Sequence, residues 1–271
     1  MPNSKDTPRA ERLKGYVVPL DPTGHASLYG PTPWVFAGRS FMVFARASRS
    51  SVAAFLPQPL EPTEESLVRF TTHDLICDLG FGWRHAQENP GPCQFREASV
   101  AMAVQHDGVV GYWGPFLWCD SDAELAVGRE MFGWPQVLGD IDMTQPHPAR
   151  GWAPGDRVAG HVGRHGRAVF EIAMSIEHDG PIPADLPAFT HFYTMRVLPD
   201  PTDGSTTREL FVSIMDDVQT GDLWSGEAEI RTTAPELAAL ELESIVGGHC
   251  HTVSWVKNRA KLISRTDEPA P

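Results

Sequence analysis

Apolar and polar side chains alternate with period two along several stretches of this chain. In Ala168–Glu177, Phe170, Ile172, Met174 and Ile176 fall on one face, while Glu171, Ala173, Ser175 and Glu177 fall on the other. That alternation predicts a half-buried strand. His191–Leu198 and Leu210–Met215 also read as strands, with Pro199–Ser205, containing Asp203-Gly204, as their hairpin connection. Three helices are expected. Ser48–Leu56 is stopped by Pro57. A second opens at Ser121 or Asp122, presents Ala123, Ala126, Val127 and Met131 at helical spacing, and ends at Gly133 before Pro135. The third covers Pro235–Leu242, with Pro235 suited to the first turn. Gly and Pro, 24 each, punctuate short segments, which favours strands and turns over long helices. No internal repeat is evident. The pattern predicts one β-rich α+β domain over residues 16–265, with disordered tails at 1–15 and 266–271.

Composition narrows the function classes. With 271 residues, 41% of them hydrophobic, the chain can bury a sizeable core. Its formal net charge of −13 repels phosphate backbones and anionic membranes, so neither nucleic acid nor a membrane is an expected partner. An anionic small molecule stays possible, because one buried arginine can set the local potential. The four cysteines form no Cys-x-x-Cys pair and do not suggest a disulfide scaffold. Met1–Gly15 has no apolar signal-peptide core, and no apolar run approaches a membrane span. A cytoplasmic protein with reduced thiols is the expectation.

The stretch Val127-Gly128-Arg129-Glu130-Met131-Phe132-Gly133-Trp134-Pro135-Gln136-Val137 resembles the signature of the acetoacetate decarboxylase family. There, a Gly-Arg-Glu segment leads into an aromatic-Pro-Lys-Lys turn. Leu67-Val68-Arg69-Phe70 resembles the family's strand leading to the site. Arg196-Val197-Leu198-Pro199 with Arg208-Glu209-Leu210 resembles its hairpin, and Leu223-Trp224-Ser225-Gly226 a Trp-Thr-Gly turn. The resemblance runs in order from about residue 33 to 263. It implies an antiparallel cone or barrel of strands with a few peripheral helices, a pocket inside the cone, and a homo-oligomer.

The resemblance carries functional residues over unevenly. The pocket arginine falls at Arg39 and the second pocket glutamate at Glu97. The first pocket glutamate falls at Thr71. The Schiff-base lysine falls at Gln136, and its lysine neighbour at Val137. Trp118 and Trp134 fall where apolar pocket residues are expected and would offer flat surfaces to a substrate larger than acetoacetate. A carboxamide neither titrates nor attacks a ketone, so position 136 cannot form an imine. It can donate two hydrogen bonds and accept at its carbonyl. Arg39, Glu97 and Gln136 together would suit proton transfer next to a carbonyl. The implied protein is a lyase, cyclase or isomerase acting on an oxo-acid or polyketide-like molecule in specialised metabolism, with no cofactor. A 3-oxo-acid decarboxylase with a non-covalent electron sink, and a non-catalytic binding protein with a retired site, are the alternatives.

Other chemistry-bearing residues have bland readings beside their functional ones. The chain has four lysines; Lys5 and Lys14 lie in the tail, and Lys257 and Lys261 lie on a polar stretch with Asn258 and Arg259. Neither setting predicts the burial that a replacement Schiff-base lysine needs. His249 and His251 would share a strand face around Cys250, but spacing identifies no third metal ligand. Glu97 and Arg39 could each be an exposed charge, Trp118 and Trp134 could be core, and Gln136 could be drift in a retired site.

Overall fold

A computed structural model of the chain describes residues 13–180, 186 and 190–270. Its first half runs β1 (Trp34–Ala47), α1 (Arg49–Ala54), β2 (Glu61–Pro62), β3 (Leu67–Cys77), α2 (Trp83–Glu88), α3 (Pro90–Cys93), β4 (Gln94–His106) and β5 (Val109–Cys119). Then come α4 (Asp122–Val127), a π-helical turn over Gly128–Phe132, β6 (Gln136–Leu138), β7 (Asp140–Met143), β8 (Arg157–Arg164), β9 (Arg167–Ser175) and β10 (His178–Asp179). The chain closes with β11 (His191–Pro199), β12 (Thr206–Gly226), β13 (Ala228–Thr232), α5 (Pro235–Ala238) and β14 (Leu242–Glu268).

The main sheet has the order β2-β4-β3-β1-β14-β12-β11-β5-β6, and β5 also pairs with β4. That extra pairing brings the sheet round on itself through seven strands. Most neighbours are antiparallel; β11 and β5 meet in parallel over Phe192↔Tyr112 and Tyr193↔Trp113. A second sheet, β13-β9-β8-β7, packs on the outside. Strand parity sorts the two faces. On β1, Phe41 and Val43 join Phe70, Val100, Ile141, Phe170 and Ile172 in a core between the two sheets. Phe36, Met42 and Phe44 face the other way, with Leu75, Phe95, Ala101, Trp134 and Trp255. One inner cavity is lined from β1, β3, β4, β5, β11, β12 and β14 together, so this second face is concave.

The β-rich α+β class, with a curled antiparallel sheet and few helices, is the architecture expected from the sequence. The local departures have identifiable causes. Ser48 caps α1, its hydroxyl accepting from the Ser51 amide at 3.1 Å. Ser121 rather than Asp122 caps α4. That helix widens into the π turn at Gly128 and ends at Gly133 in the left-handed region, φ 67°. Pro235 opens a single turn only, because Leu242 already belongs to β14. The expected tail at 266–271 is corrected in part: Thr266, Asp267 and Glu268 pair with Arg208, Thr207 and Thr206. Residues 1–12 lie outside the described residues, whereas Lys14 bridges Asp21. No helix among the described residues is long and apolar enough to cross a membrane.

Gly133 fixes how the π turn meets the hairpin. A methyl group there would lie 2.2 Å from the Arg196 backbone nitrogen and 2.5 Å from its Cα. The positive φ and this approach both require glycine. Gly133→Ala is expected to lower stability by about 2 kcal/mol or more, the scale of a strained left-handed residue plus a backbone clash. Urea denaturation measures this; an unchanged midpoint would show that the turn relaxes freely.

Candidate functional site

Four charged groups are fully buried or nearly so on the concave face: Arg69 at 2% exposure, Glu124 at 2%, Lys257 at 0%, and Glu97, whose carboxyl is enclosed. Odd-numbered positions of β3 turn Arg69, Thr71 and His73 inward. β4 turns Glu97 and Ser99 the same way, and β14 turns His251, Val253, Trp255 and Lys257. Glu124 enters from α4. Gln136, fully buried, enters from the start of β6.

The carboxamide of Gln136 joins the two acids. Its Nε2 donates to Glu97 Oε2 at 2.9 Å and to Glu124 Oε1 at 3.4 Å. Tyr29, itself buried, donates its hydroxyl to the other oxygen of Glu124. Gln136 Oε1 accepts no hydrogen bond. A Cβ on Gly128 would sit 2.0 Å from that oxygen, so the glycine of the Gly-Arg-Glu segment is the space the amide occupies. Arg129 donates to the Gln136 carbonyl at 3.1 Å. The π turn is pinned from the hairpin: Thr194 Oγ1 donates to the Phe132 carbonyl at 2.6 Å, and Arg196 to the carbonyls of Glu130 and Met131 at 2.8 and 3.3 Å. Arg196 is in turn held by Glu209 at 2.8 and 2.5 Å.

Burial dominates the electrostatics. It pushes the Glu97 carboxyl up to about 8, with the neighbouring Glu124 charge adding to the effect. Glu124 is raised for the same leading reason. Lys257 is lowered to about 7 by burial, against the pull of Glu124 and Glu97. Its Nζ lies 4.1 Å from the Phe132 ring centroid and 4.7 Å from that of Trp134, with no hydrogen-bond partner. Burial, with the Arg69 charge contributing, brings His73 to about 3 and His251 to about 4, so both rings are neutral. Arg69 lies over the Tyr112 ring at 4.2 Å and is a guanidinium at any working pH. The cavity these groups border has a volume of about 30 Å³, room for water-sized occupants in this conformation.

The structure brings some of the sequence-predicted site residues together and separates others. Glu97, Gln136, Trp134 and Thr71 share the concave face; the Thr71 hydroxyl is buried without a hydrogen-bond partner. Arg39 is not among them. It sits one position out of parity with Gly38 and Ser40, on the outer face, 3.5 Å from Asp74. The arginine inside is Arg69. Trp118 is also outside, stacked on Phe116 and edge-on to Phe170 in the core between the sheets. Besides Arg69, two more residues of the site escape the sequence reading. Glu124 occupies the third position after the Ser121 cap, where a glutamate ordinarily reads as a capping box; its side chain turns inward instead. The signal that could have found it is its spacing to Val127 and Gly128 on the buried stripe. Lys257 lies on a stretch that reads as polar surface, but its two-residue spacing from Trp255 and Val253 places it inside. His249 and His251 do share a face; His249 Nδ1 lies 2.9 Å from Ser225 Oγ.

The buried acids impose a pH dependence on stability. Below about 4.5 Glu97 is protonated in folded and unfolded chains alike. Between there and about 8 the unfolded chain has lost the proton and the folded chain keeps it. The folded state therefore binds more protons, and stability falls as pH rises through this window. Lys257 acts oppositely between about 7 and 10.5, where the folded chain holds fewer protons and stability rises with pH. Glu97→Gln removes the Glu97 share of the first limb. Relative to the wild type, the variant is expected to gain about 1–3 kcal/mol between pH 5 and pH 8, measured by urea denaturation at each pH. An offset that does not change with pH would refute the raised carboxyl.

Comparison with known proteins places this geometry. The model of the acetoacetate decarboxylase family matches residues 17–265. An acetoacetate decarboxylase from Ralstonia nicotianae is 24% identical over 231 residues, 84% of each chain. Acetoacetate decarboxylase 3 of Mesorhizobium japonicum is 27% identical over 128 residues, and the match spans 44% of that protein. Among solved structures, the enduracididine biosynthesis enzyme MppR, complexed with the condensation product of pyruvate and imidazole 4-carboxaldehyde, superposes with a TM-score of 0.84 at 25% identity. That alignment covers 93% of this chain and 97% of MppR. An acetoacetate decarboxylase-like enzyme from Sphingomonas wittichii gives a TM-score of 0.84 at 24% identity, over 93% and 100% of the two chains. With its site motif, its curled sheet and a family match over nearly its whole length, this chain belongs to the acetoacetate decarboxylase family.

Proposed function

We propose that this chain is an acetoacetate decarboxylase-like enzyme that binds a small oxo acid in the inner cavity, which widens beyond its present water-sized space to admit it, and moves a proton at the carbon next to its carbonyl. The observation that carries the reading is the Gln136 amide held between the Glu97 and Glu124 carboxyls in an enclosed site that also contains Arg69. Each part has a role. Arg69 is a fixed cation with bidentate donors, suited to the carboxylate of an oxo acid and shielded from water by burial. The Gln136 amide can turn one N–H to the substrate carbonyl and stabilise the enolate that forms there. The raised Glu97 carboxyl is poised near neutrality, able to give and take a proton. Thr71 and Trp134 would contact the bound molecule.

Removal of the proton next to the carbonyl, followed by elimination, ring closure or reprotonation, makes the enzyme a lyase, cyclase or isomerase. MppR, whose name ties it to enduracididine biosynthesis and whose structure holds a pyruvate-derived condensation product, supports a biosynthetic role and a 2-oxo acid as the starting class. The curated relatives, named acetoacetate decarboxylase, favour a second reading, release of carbon dioxide from a 3-oxo acid. Both use the same residues; they differ in whether a C–H or a C–CO₂ bond supplies the electron pair. A homo-oligomer is part of the proposal by family resemblance.

The test incubates the protein in deuterium oxide with pyruvate and, separately, with acetoacetate. Proton NMR follows exchange beside the carbonyl, and trapped carbon dioxide is measured in parallel. Exchange or release above the uncatalysed rate is expected with at least one acid. Gln136→Ala and Glu97→Gln are each expected to reduce it at least about tenfold, the lower end of what a positioned donor or general acid contributes. Undiminished turnover in both variants would remove these residues from the chemistry.

A further inference from the structure

Lys257 has no part in the roles assigned above, and its surroundings are unusual for a lysine. The side chain is fully buried, although lysine is among the residues least often enclosed. Its Nζ makes no hydrogen bond, so no carboxylate holds it as a salt-bridge partner. Its immediate neighbours are two aromatic rings, Phe132 and Trp134. Trp134 lines the inner cavity, as do Glu97 and Glu124, the two carboxyls whose charges Lys257 feels. A structural lysine would be expected to pair closely with an acid or reach water; this one does neither. An amine enclosed in this way loses its charge readily, as its lowered value of about 7 reflects, and a neutral primary amine is a nucleophile toward ketones.

We infer that Lys257 is the covalent catalyst of this site, its Nζ forming an imine with the carbonyl of a bound oxo acid. The amine thus comes from β14, a different part of the fold from the turn that carries Gln136. The inference rests on the carbonyl chemistry proposed above and adds a nucleophile to it. The step balances within the site. The Nζ lone pair attacks the carbonyl carbon, and the C–O π pair moves to oxygen. That oxygen takes one proton from nitrogen and one from the neutral Glu97 carboxyl, and leaves as water. The products are a protonated imine on Lys257, a Glu97 carboxylate and one water. The cation of the imine then draws the electron pair from the adjacent C–H or C–CO₂ bond. In the C–H case the carboxylate takes the proton. Gln136, already bonded to Glu97, positions the acid for this exchange. Lys257 does not itself line the cavity, but Trp134 does, with its ring centroid 4.7 Å from Nζ; a shift of that ring opens the path for attack.

Borohydride trapping on the unaltered protein is the test. The wild type is incubated with pyruvate or acetoacetate, treated with sodium borohydride, digested, and its peptides are mapped by mass spectrometry. The expected result is a reduced adduct on the peptide carrying Lys257. Lys257→Arg, which keeps the positive charge, is expected to lose the adduct and at least about a hundredfold of the deuterium exchange. Exchange that proceeds in the wild type with no adduct on any lysine overturns the covalent role and leaves the proposed proton transfer standing. An adduct confined to Lys14 or Lys261 likewise overturns it. Absence of both adduct and exchange with either acid overturns the covalent role and the proposed function together. Because the mapping uses the wild type, its outcome stands even where Lys257→Arg fails to fold.

Discussion

The hydrogen bonds from one carboxamide to two buried acids set the terms for the whole site. A carboxylate removed from water is costly, and two of them side by side more so. Gln136 eases this with both protons of a single NH₂ group, at 2.9 and 3.4 Å. The Tyr29 hydroxyl supplies a further bond to Glu124, and the charge of Arg69 acts on Glu97. What remains uncompensated appears as shifted proton affinity: burial raises both acids, Glu97 to about 8, and lowers Lys257 to about 7. Burial thus draws a cluster of nominally charged groups toward neutrality inside a protein of net charge −13. Arg69 alone cannot neutralise in this way, so it dominates the field that an entering anion would meet.

Support for this arrangement comes from far along the chain. The turn leading to Gln136 has no long helix behind it; α4 is six residues and gives way to a π turn. Its carbonyls are held by Arg196 and Thr194 on β11, and Arg196 is held by Glu209 on β12. Glu209 is buried and also lies 3.6 Å from Arg265 on β14. The motif Arg196…Glu209, which in the sequence reads as a family resemblance, is in physical terms a clamp on the site turn.

Much of this is legible in the sequence. The alternation in Ala168–Glu177, the helix that Pro57 stops, the start of α4 at Ser121 and the β11–β12 hairpin follow from local periodicity and turn chemistry, which the fold obeys. Glu97, Thr71, Trp134 and Gln136 are placed by the order of the resembling motifs, and all four face the concave side. The side chains whose placement differs from the expectation share one cause. Arg39 and Lys257 lie on strands whose neighbours are mixed in polarity, and Trp118 on one that is apolar on both faces, so local composition does not say which parity points inward. That is decided by the register of partner strands distant in sequence, as Arg39↔Asp74 and Arg39↔Thr252 show. Glu124 is hidden differently, because the cap motif offers it a sufficient local explanation.

The parity that sorts these side chains also limits how such a site can change. On β3, Val68 and Phe70 fill the outer core while Arg69, Thr71 and His73 face inward, so chemistry and packing are interleaved residue by residue on one strand. Inserting or deleting a single residue there would exchange the two sets, sending a guanidinium into the hydrophobic layer and a phenyl ring into the cavity. Lineages of this fold can therefore explore new reactions by swapping side chains at fixed positions, and only rarely by altering strand length. A glutamine at position 136, with an amine buried at Lys257 on the same concave wall, is the kind of variation this constraint permits.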